Sequence, residues 1–223
     1  MICALLYYFI KYLSIDRRLY ATLASIMILT HRLQHAINEA SRLHRDQFRK
    51  DSLKTPYITH LVGVMILLSS STHDEDILIA GLLHDALEDV PDYTEKMLEE
   101  TFGKRVLDIV LGVTEEFKLR NETPPSWKEE KLRYLENLKV AGEESVLVSL
   151  ADKIQNTRSY IELMNVEGLG MLANFGAGND ERMWFHMEVL RIGIERLGDD
   201  HILVEELQAE LEELQKTIDK LAQ

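Results

Sequence analysis

From Met27 onward, apolar residues recur three and four positions apart, which is the period of one face of an α-helix. Runs of alternating Val, Ile or Thr bounded by turn residues do not occur, so the sequence predicts no strands. The predicted fold class is therefore all-α. Helices are expected at about 28–48, 59–71, 74–88, 94–101, 103–116, 126–140, 143–163, 180–196 and 200–222.

The composition argues against several classes of partner. The 223 residues carry 25 basic and 38 acidic side chains, a net charge of −13, which disfavours a general electrostatic grip on nucleic acid or an anionic membrane. We expect neither partner, and an anionic ligand would need a local basic patch. The single cysteine, Cys3, rules out an intramolecular disulfide framework and a cysteine-rich zinc site. It fits a reducing compartment, so a cytoplasmic location is expected.

The two ends of the chain differ from its middle. The segment from Ile2 to Ile10 is apolar, but it is too short for a bilayer, which needs about 20 residues. We expect residues 1–26 to be an N-terminal extension, residues 27–199 the main domain and residues 200–223 an amphipathic C-terminal helix. That helix carries a heptad seam formed by Val204, Leu207, Leu211, Leu214, Ile218 and Leu221. The seam is shorter than three heptads, so packing against its own domain and homodimerisation are both open.

The stretch from Ile77 to Asp89, ILIAGLLHDALED, places ionisable groups in an apolar helix. His84 and Asp85 are adjacent, and Glu88 follows them within one helical turn. Charged groups in such surroundings are costly to bury unless they are paired or bind a metal. For Glu88 and Asp89, a helix end that emerges into solvent before a proline is the simpler alternative.

Two more polar residues lie in apolar contexts elsewhere: His60 in TPYITHL and Asp152 in VSLADKIQN. Imidazole and carboxylate groups together suit Mn, Fe, Co, Ni or Zn rather than Ca, which prefers oxygen ligands alone. Taken singly, each residue is also typical of an ordinary core histidine or capping carboxylate.

The set of His60, the pair His84-Asp85 and Asp152 resembles the four metal ligands of the HD superfamily of metal-dependent phosphohydrolases. Four ordered segments also resemble the hydrolase domain of the RelA/SpoT type, over roughly residues 31–195: HRDQFRKDSLKTPYITH (44–60), AGLLHDALEDV (80–90), FGKRVLDIVLGVTEE (102–116) and VSLADKIQNTR (148–158). The resemblance implies a helical HD-domain bundle and a divalent metal, usually Mn²⁺. It also implies removal of the 3′-diphosphate from guanosine tetra- and pentaphosphate, a small nucleotide substrate.

Residue by residue, the resemblance implies these roles. The metal ligands are His60, His84, Asp85 and Asp152; the acidic pair that acts on the attacking water is Glu88 and Asp89; the groups that contact the nucleotide are Arg49, Lys50 and Asn156. Lys153 and Arg158 are further candidate cations for the phosphates.

The chain departs from the RelA/SpoT pattern at Leu61, where that family commonly carries proline. Two alternatives therefore stay open. The first is the same metal chemistry on another nucleotide, such as a deoxynucleoside monophosphate or a nicotinamide dinucleotide phosphate. The second is a nucleotide-binding helical module without turnover.

Overall fold

The computed structural model describes residues 29–115, 119, 122–123, 126–170 and 178–222. Helices make up the regular structure of these residues. Among these residues no strand occurs, which confirms the predicted all-α class. The helices are α1 (His31–Leu43), α2 (Ile58–Ser69), α3 (Glu75–Leu83), α4 (Ala86–Asp89), α5 (Glu95–Phe102), α6 (Lys104–Leu111), α7 (Trp127–Val140), α8 (Glu143–Glu167), α9 (Asn179–Leu197) and α10 (Ile202–Leu221).

The chain divides into two units, Met1–Thr30 and His31–Gln223. The extension expected for residues 1–26 lies outside the described residues, so its status stays a prediction. Within the described part of the chain, none of the helices combines the length and the apolarity needed to cross a membrane.

The predicted helix 28–48 is too long, because α1 ends at Leu43. The residues after it, 44–57, form a loop that is closed by main-chain hydrogen bonds between its two halves. The peptide N–H of Tyr57 donates to the carbonyl oxygen of Gln47 at 3.0 Å, close to an isolated antiparallel bridge. This loop brings the predicted basic pair next to the start of α2.

The predicted helix 74–88 is interrupted after Leu83, and α4 begins only at Ala86. Nδ1 of His84 bonds the carbonyl oxygen of Gly81 at 2.9 Å, so a side chain takes up an acceptor of the helix. The backbone of Asp85 then lies at φ −91° and ψ −4°, away from ideal helical values. The His-Asp pair therefore sits in a turn between two helices.

Helix α8 is the central element of the bundle, since it packs against α2, α3, α6, α9 and α10. Its sequence explains this position, because apolar residues occur around its whole circumference rather than along one stripe. Val146, Val148, Leu150 and Ile154 are all fully buried. Helices that supply functional residues are thus held against one common helix.

The heptad seam of α10 is occupied within the chain itself. Val204, Leu207, Leu211 and Leu214 are buried, and α10 packs against α8 and α9. Of the two alternatives for this seam, packing against its own domain is the one that the described residues display.

Helices α8, α9 and α10 approach closely at Gly193. A Cβ atom at this position would lie 2.9 Å from one methyl group of Leu150 and 3.3 Å from a methyl group of Val204. Both neighbours are fully buried, so neither side chain has room to withdraw.

We expect Gly193→Ala to destabilise the protein by about 1–2 kcal/mol, because overpacking outweighs the better helix propensity of alanine. Thermal unfolding should show a melting temperature lower by roughly 2–8 °C. Gly170→Ala is the control, since a Cβ atom there meets no atom of the described residues within 4 Å. Equal melting temperatures for the two variants would contradict the close approach.

Candidate metal centre and active-site cavity

The four candidate metal ligands converge although three separate parts of the chain supply them. His60 lies on α2, His84 and Asp85 form the turn between α3 and α4, and Asp152 lies on α8. Nε2 of His60 is 3.6 Å from Oδ2 of Asp85 and 3.3 Å from Oδ1 of Asp152. Nε2 of His84 is 3.1 Å and 3.8 Å from the same two oxygens.

Two of these separations, 3.3 Å and 3.1 Å, match the spacing of donors around one divalent ion, and the other two, 3.6 Å and 3.8 Å, are slightly wider. Neighbouring ligand atoms, each about 2.1 Å from a shared ion, lie about 3.0–3.4 Å apart in octahedral or tetrahedral geometry. The donor atoms of His60, His84 and Asp85 all lie within 4.8 Å of one another. A histidine–carboxylate donor set of this kind suits a transition-metal ion.

Both imidazoles present the nitrogen that a metal needs. Nδ1 of His60 bonds Oε1 of Gln155 at 2.5 Å, and Nδ1 of His84 bonds the carbonyl oxygen of Gly81 at 2.9 Å. Because oxygen atoms of these types only accept, each Nδ1 carries the hydrogen and each Nε2 faces the carboxylates. Nε2 of His84 is buried and forms no hydrogen bond with any described residue. Such an orphaned nitrogen fits a metal ligand.

The carboxylates draw positive charge into this cluster. Burial alone would lower the pKa of His84, but the charges of Asp85 and Asp152 outweigh burial and raise that pKa well above its ordinary value. Burial also opposes ionisation of the two carboxyl groups. The imidazole of His84, and Lys153 beside Asp152, nevertheless hold both carboxyl pKa values well below the usual range. Two buried anions therefore surround the position that a cation would take.

Each carboxylate has its own outer partners. Asp152 accepts from the side chain of Asn156 at 2.6 Å and from Nζ of Lys153 at 2.5 Å. Oδ2 of Asp85 accepts from the hydroxyl of Tyr57 at 2.6 Å. Burial, and then the charge of Asp85, raise the pKa of the Tyr57 hydroxyl, so it stays a donor at any physiological pH. These bonds fix the direction in which the carboxylates point.

A cavity of about 260 Å³ opens onto the four ligands, and we call it the site cavity. The expected acidic pair and two of the three expected substrate contacts line it. Its walls also include residues that the sequence did not single out. The lining residues beyond the ligands include Lys50, Tyr57, Glu88, Asp89, Glu115, Lys131, Tyr134, Ser149, Lys153 and Asn156.

The acidic pair is anchored through the main chain. Oε1 of Glu88 accepts from the peptide N–H of Glu115 at 2.8 Å, and the carbonyl oxygen of Asp89 accepts from the side chain of Gln47 at 2.7 Å. Lys131 pairs in turn with the carboxylate of Glu115. Glu88 and Asp89 therefore belong to the cavity wall rather than to a helix end directed only at solvent.

The basic pair lies between the site cavity and a second cavity of about 340 Å³, called here the neighbouring cavity. Lys50 lines both cavities, whereas Arg49 lines only the neighbouring one. The guanidinium of Arg49 donates to Oδ1 of Asn156 at 2.8 Å and lies 5.7 Å from the centre of the Tyr57 ring. Tyr160, which the sequence did not single out, forms part of the second wall.

The expectation that Arg158 serves the phosphates is wrong. Its guanidinium pairs with Glu206 and Glu210 on α10, and it lines neither cavity. The reason is helical geometry, because six residues after Asp152 a side chain leaves α8 in a different direction. Lys153, by contrast, is buried in the wall of the site cavity.

Tyr57 and Gln155 are the contacts of the ligands that sequence reasoning missed. Spacing offered a signal for both, since Tyr57 precedes His60 by three residues and Gln155 follows Asp152 by three. That spacing predicts a shared side of the helix but no particular partner. Only the packing of α2 against α8 places Gln155 beside His60.

This helical bundle with a buried histidine–carboxylate cluster defines the class of protein. The chain belongs to the HD-domain family, whose model, described as HD domain, matches residues 36–168. That finding confirms the membership that the motifs predicted.

Two proteins with named activities and one solved structure are similar to this chain. Guanosine-3′,5′-bis(diphosphate) 3′-pyrophosphohydrolase MESH1 of Danio rerio is 38% identical over 128 residues, which are 56% of this chain and 67% of that protein. The bifunctional (p)ppGpp synthase/hydrolase SpoT of Escherichia coli K12 is 34% identical over 186 residues, 82% of this chain but only 23% of SpoT. A solved structure, described as a metazoan ortholog of SpoT that hydrolyzes ppGpp, has a TM-score of 0.68 at 26% identity. The likeness covers 86% of this chain and 99% of that one.

We expect Tyr57→Phe to weaken Mn²⁺ binding by about 10–100-fold, because Asp85 loses the donor that orients it. Isothermal titration of the metal-stripped protein measures this affinity. Tyr93→Phe is the matched control, since the Tyr93 hydroxyl is buried but has no hydrogen-bond partner among the described residues. Wild-type affinity in Tyr57→Phe would refute the orienting role.

Proposed function

We propose that this protein is a metal-dependent phosphohydrolase that releases pyrophosphate from the 3′ position of guanosine 3′,5′-bis(diphosphate) and of its pentaphosphate analogue. One observation carries the proposal: the candidate ligands, the acidic pair and Lys50 all line one cavity. The names of the relatives support this substrate. The substrate is proposed for this chain rather than transferred to it, because the relatives align with the chain over only part of their own lengths.

The residues that would hold the metal are His60, His84, Asp85 and Asp152, and we propose Mn²⁺ as the ion. Their mixed nitrogen and oxygen donors favour Mn²⁺ over Ca²⁺. When bound, a divalent ion supplies Lewis-acid activation of water and of a phosphoryl oxygen at neutral pH.

The chain's own side chains would complete the chemistry. In this proposal Glu88 accepts the proton of the attacking water. The peptide N–H of Glu115 donates to the carboxylate of Glu88, which lines the site cavity. Asp89 lies beside it and supports the same role. Lys153 is buried next to Asp152, and its ammonium group stays charged because Asp152 raises its pKa against the effect of burial. It contributes positive charge at the wall against which a phosphoryl group would lie.

The basic residues of the loop 44–57 would allow a chain of net charge −13 to bind an anionic nucleotide. Lys50 lines both cavities, so a phosphate in the site cavity and a nucleoside in the neighbouring cavity would both lie within its reach. Arg49 and Asn156 bond each other at the boundary and would contact the nucleoside. The local cations supply the attraction that the overall charge does not.

Three further expectations remain proposals. A cytoplasmic location rests on the single cysteine, and the absence of a nucleic-acid partner rests on the net charge. A homodimer formed through α10 would have to use the outward side of this helix, because most of the seam is buried within the chain.

We expect the metal-stripped protein to release pyrophosphate from guanosine tetraphosphate only after Mn²⁺ is added. Asp85→Ala should lower this rate by about 10³-fold or more, because several kcal/mol of charge stabilisation depend on the metal. Asp46→Ala is the control, since that carboxylate is 85% exposed and, among the residues that the structure describes, pairs with its neighbour Arg45 alone. Retained activity in Asp85→Ala would refute the site, and a wild type that binds Mn²⁺ but leaves the substrate intact would refute only the substrate.

We expect Glu88→Gln to lower kcat by about 10²–10⁴-fold while Mn²⁺ affinity is unchanged, because the amide cannot accept the proton of the attacking water. Steady-state kinetics with guanosine tetraphosphate, and metal titration of the same preparation, measure the two effects. Glu100→Gln, on an exposed face of α5, is the control. A variant that loses metal binding together with activity would instead make Glu88 a ligand.

A further inference from the structure

Gln155 occupies a special position between the candidate metal centre and the neighbouring cavity. It lies on α8, three residues after Asp152, and its Oε1 is 2.5 Å from Nδ1 of His60. Its Nε2 donates to the hydroxyl of Ser159 at 3.2 Å, and both side chains line the neighbouring cavity. One amide therefore connects a ligand on α2 with the helix that carries another ligand.

Gln155 makes two bonds through its amide group. Its Nε2 donates to the hydroxyl of Ser159, and its Oε1 faces His60. An amide oxygen only accepts, and Nδ1 of His60 must therefore carry the hydrogen. Nε2 of His60 is left with its lone pair toward Asp85 and Asp152. His60 is only 1% exposed, so water has little access to replace this partner.

The backbone of α2 makes room for this contact. Gly63 follows His60 by three residues, and a Cβ atom there would lie 3.1 Å from Cγ of Gln155 and 3.7 Å from its Nε2. A Cβ atom at this position would require Gln155 to shift by a few tenths of an ångström, and glycine allows the two helices to approach without that shift. The chain thus provides an acceptor, an anchor for the acceptor, and space for both.

We propose that Gln155 is a positioning residue that holds His60 in the tautomer and direction required to bind a divalent metal. The proposal rests on the metal site of the proposed function but not on its substrate. Gln155 acts through His60, as outer partners of metal-binding histidines commonly do. The role needs an acceptor atom at this position, and it does not need an amide as such.

Two substitutions at this position separate an acceptor role from a packing role. Gln155→Met keeps the length of the side chain but removes the acceptor, and we expect Mn²⁺ affinity to fall by about 10–100-fold. Gln155→Glu keeps an acceptor oxygen, and we expect affinity within about threefold of the wild type or higher. Isothermal titration of the metal-stripped full-length chain with MnCl₂ measures both. Gln208→Met, on the exposed face of α10, is the matched control.

The tautomer itself gives a second readout that does not require metal. Long-range ¹H–¹⁵N spectra of the metal-free protein should show His60 with a protonated Nδ1 in the wild type, and loss of this preference in Gln155→Met. Should Gln155→Met fail to fold, Ser159→Ala removes only the anchor of the amide and should lower Mn²⁺ affinity in the same direction by a smaller factor.

Wild-type affinity and an unchanged tautomer in Gln155→Met would overturn the proposal and leave the metal site intact. Equal loss of affinity in the Met and Glu variants would also overturn it, because packing rather than an acceptor would then matter. A wild type without Mn²⁺ affinity would overturn both this inference and the proposed function. Normal metal binding without pyrophosphate release would fault the proposed substrate alone.

Discussion

Two carboxylates inside a helical bundle are tolerable only where positive charge surrounds them, and this requirement organises the centre of the molecule. Asp85 and Asp152 meet the imidazoles of two buried histidines, and Lys153 lies directly against Asp152. Hydroxyl and amide donors satisfy further carboxylate lone pairs. Nε2 of His84 faces both carboxylates and makes no hydrogen bond with a described residue, so the compensation of buried charge and the candidate metal centre involve the same atoms.

Helix α8 concentrates several tasks in little more than one turn. Asp152 faces the other candidate ligands, and Lys153 compensates its charge. Gln155 bonds His60 on α2, and Asn156 accepts a hydrogen bond from Arg49. Residues 145–154 of the same helix are all buried except Leu147. Functional side chains on such a rigid element lose little freedom when a ligand binds, so their geometry is prepared by the packing of the bundle.

The sequence predicts the helical class because the helical period of apolar residues is a local signal. Polar groups within apolar runs indicate the candidate ligands, but it is the resemblance to the HD superfamily that predicts their convergence. The interruption at His84 and Asp85 was not predicted, since it depends on a side chain taking a carbonyl partner. The spacing of six residues between Asp152 and Arg158 indicates a different direction on α8, but it does not identify the partners of Arg158. These partners lie about 50 residues later on α10, and local spacing carries no information about them. Gln155 was missed because the partner of an amide depends on which helix packs beside it.

The interruption between α3 and α4 has a consequence for the spacing of the whole motif. In a continuous α-helix, adjacent side chains leave the axis about 100° apart, so neighbours in sequence diverge. Here the turn leaves Nε2 of His84 and Oδ2 of Asp85 only 3.1 Å apart, and α4 then carries Glu88 into the wall of the same cavity. One residue inserted between Asp85 and Glu88 would rotate the carboxylate of Glu88 by about 100° away from that cavity. The length of this segment is therefore constrained as well as the identity of its ionisable residues.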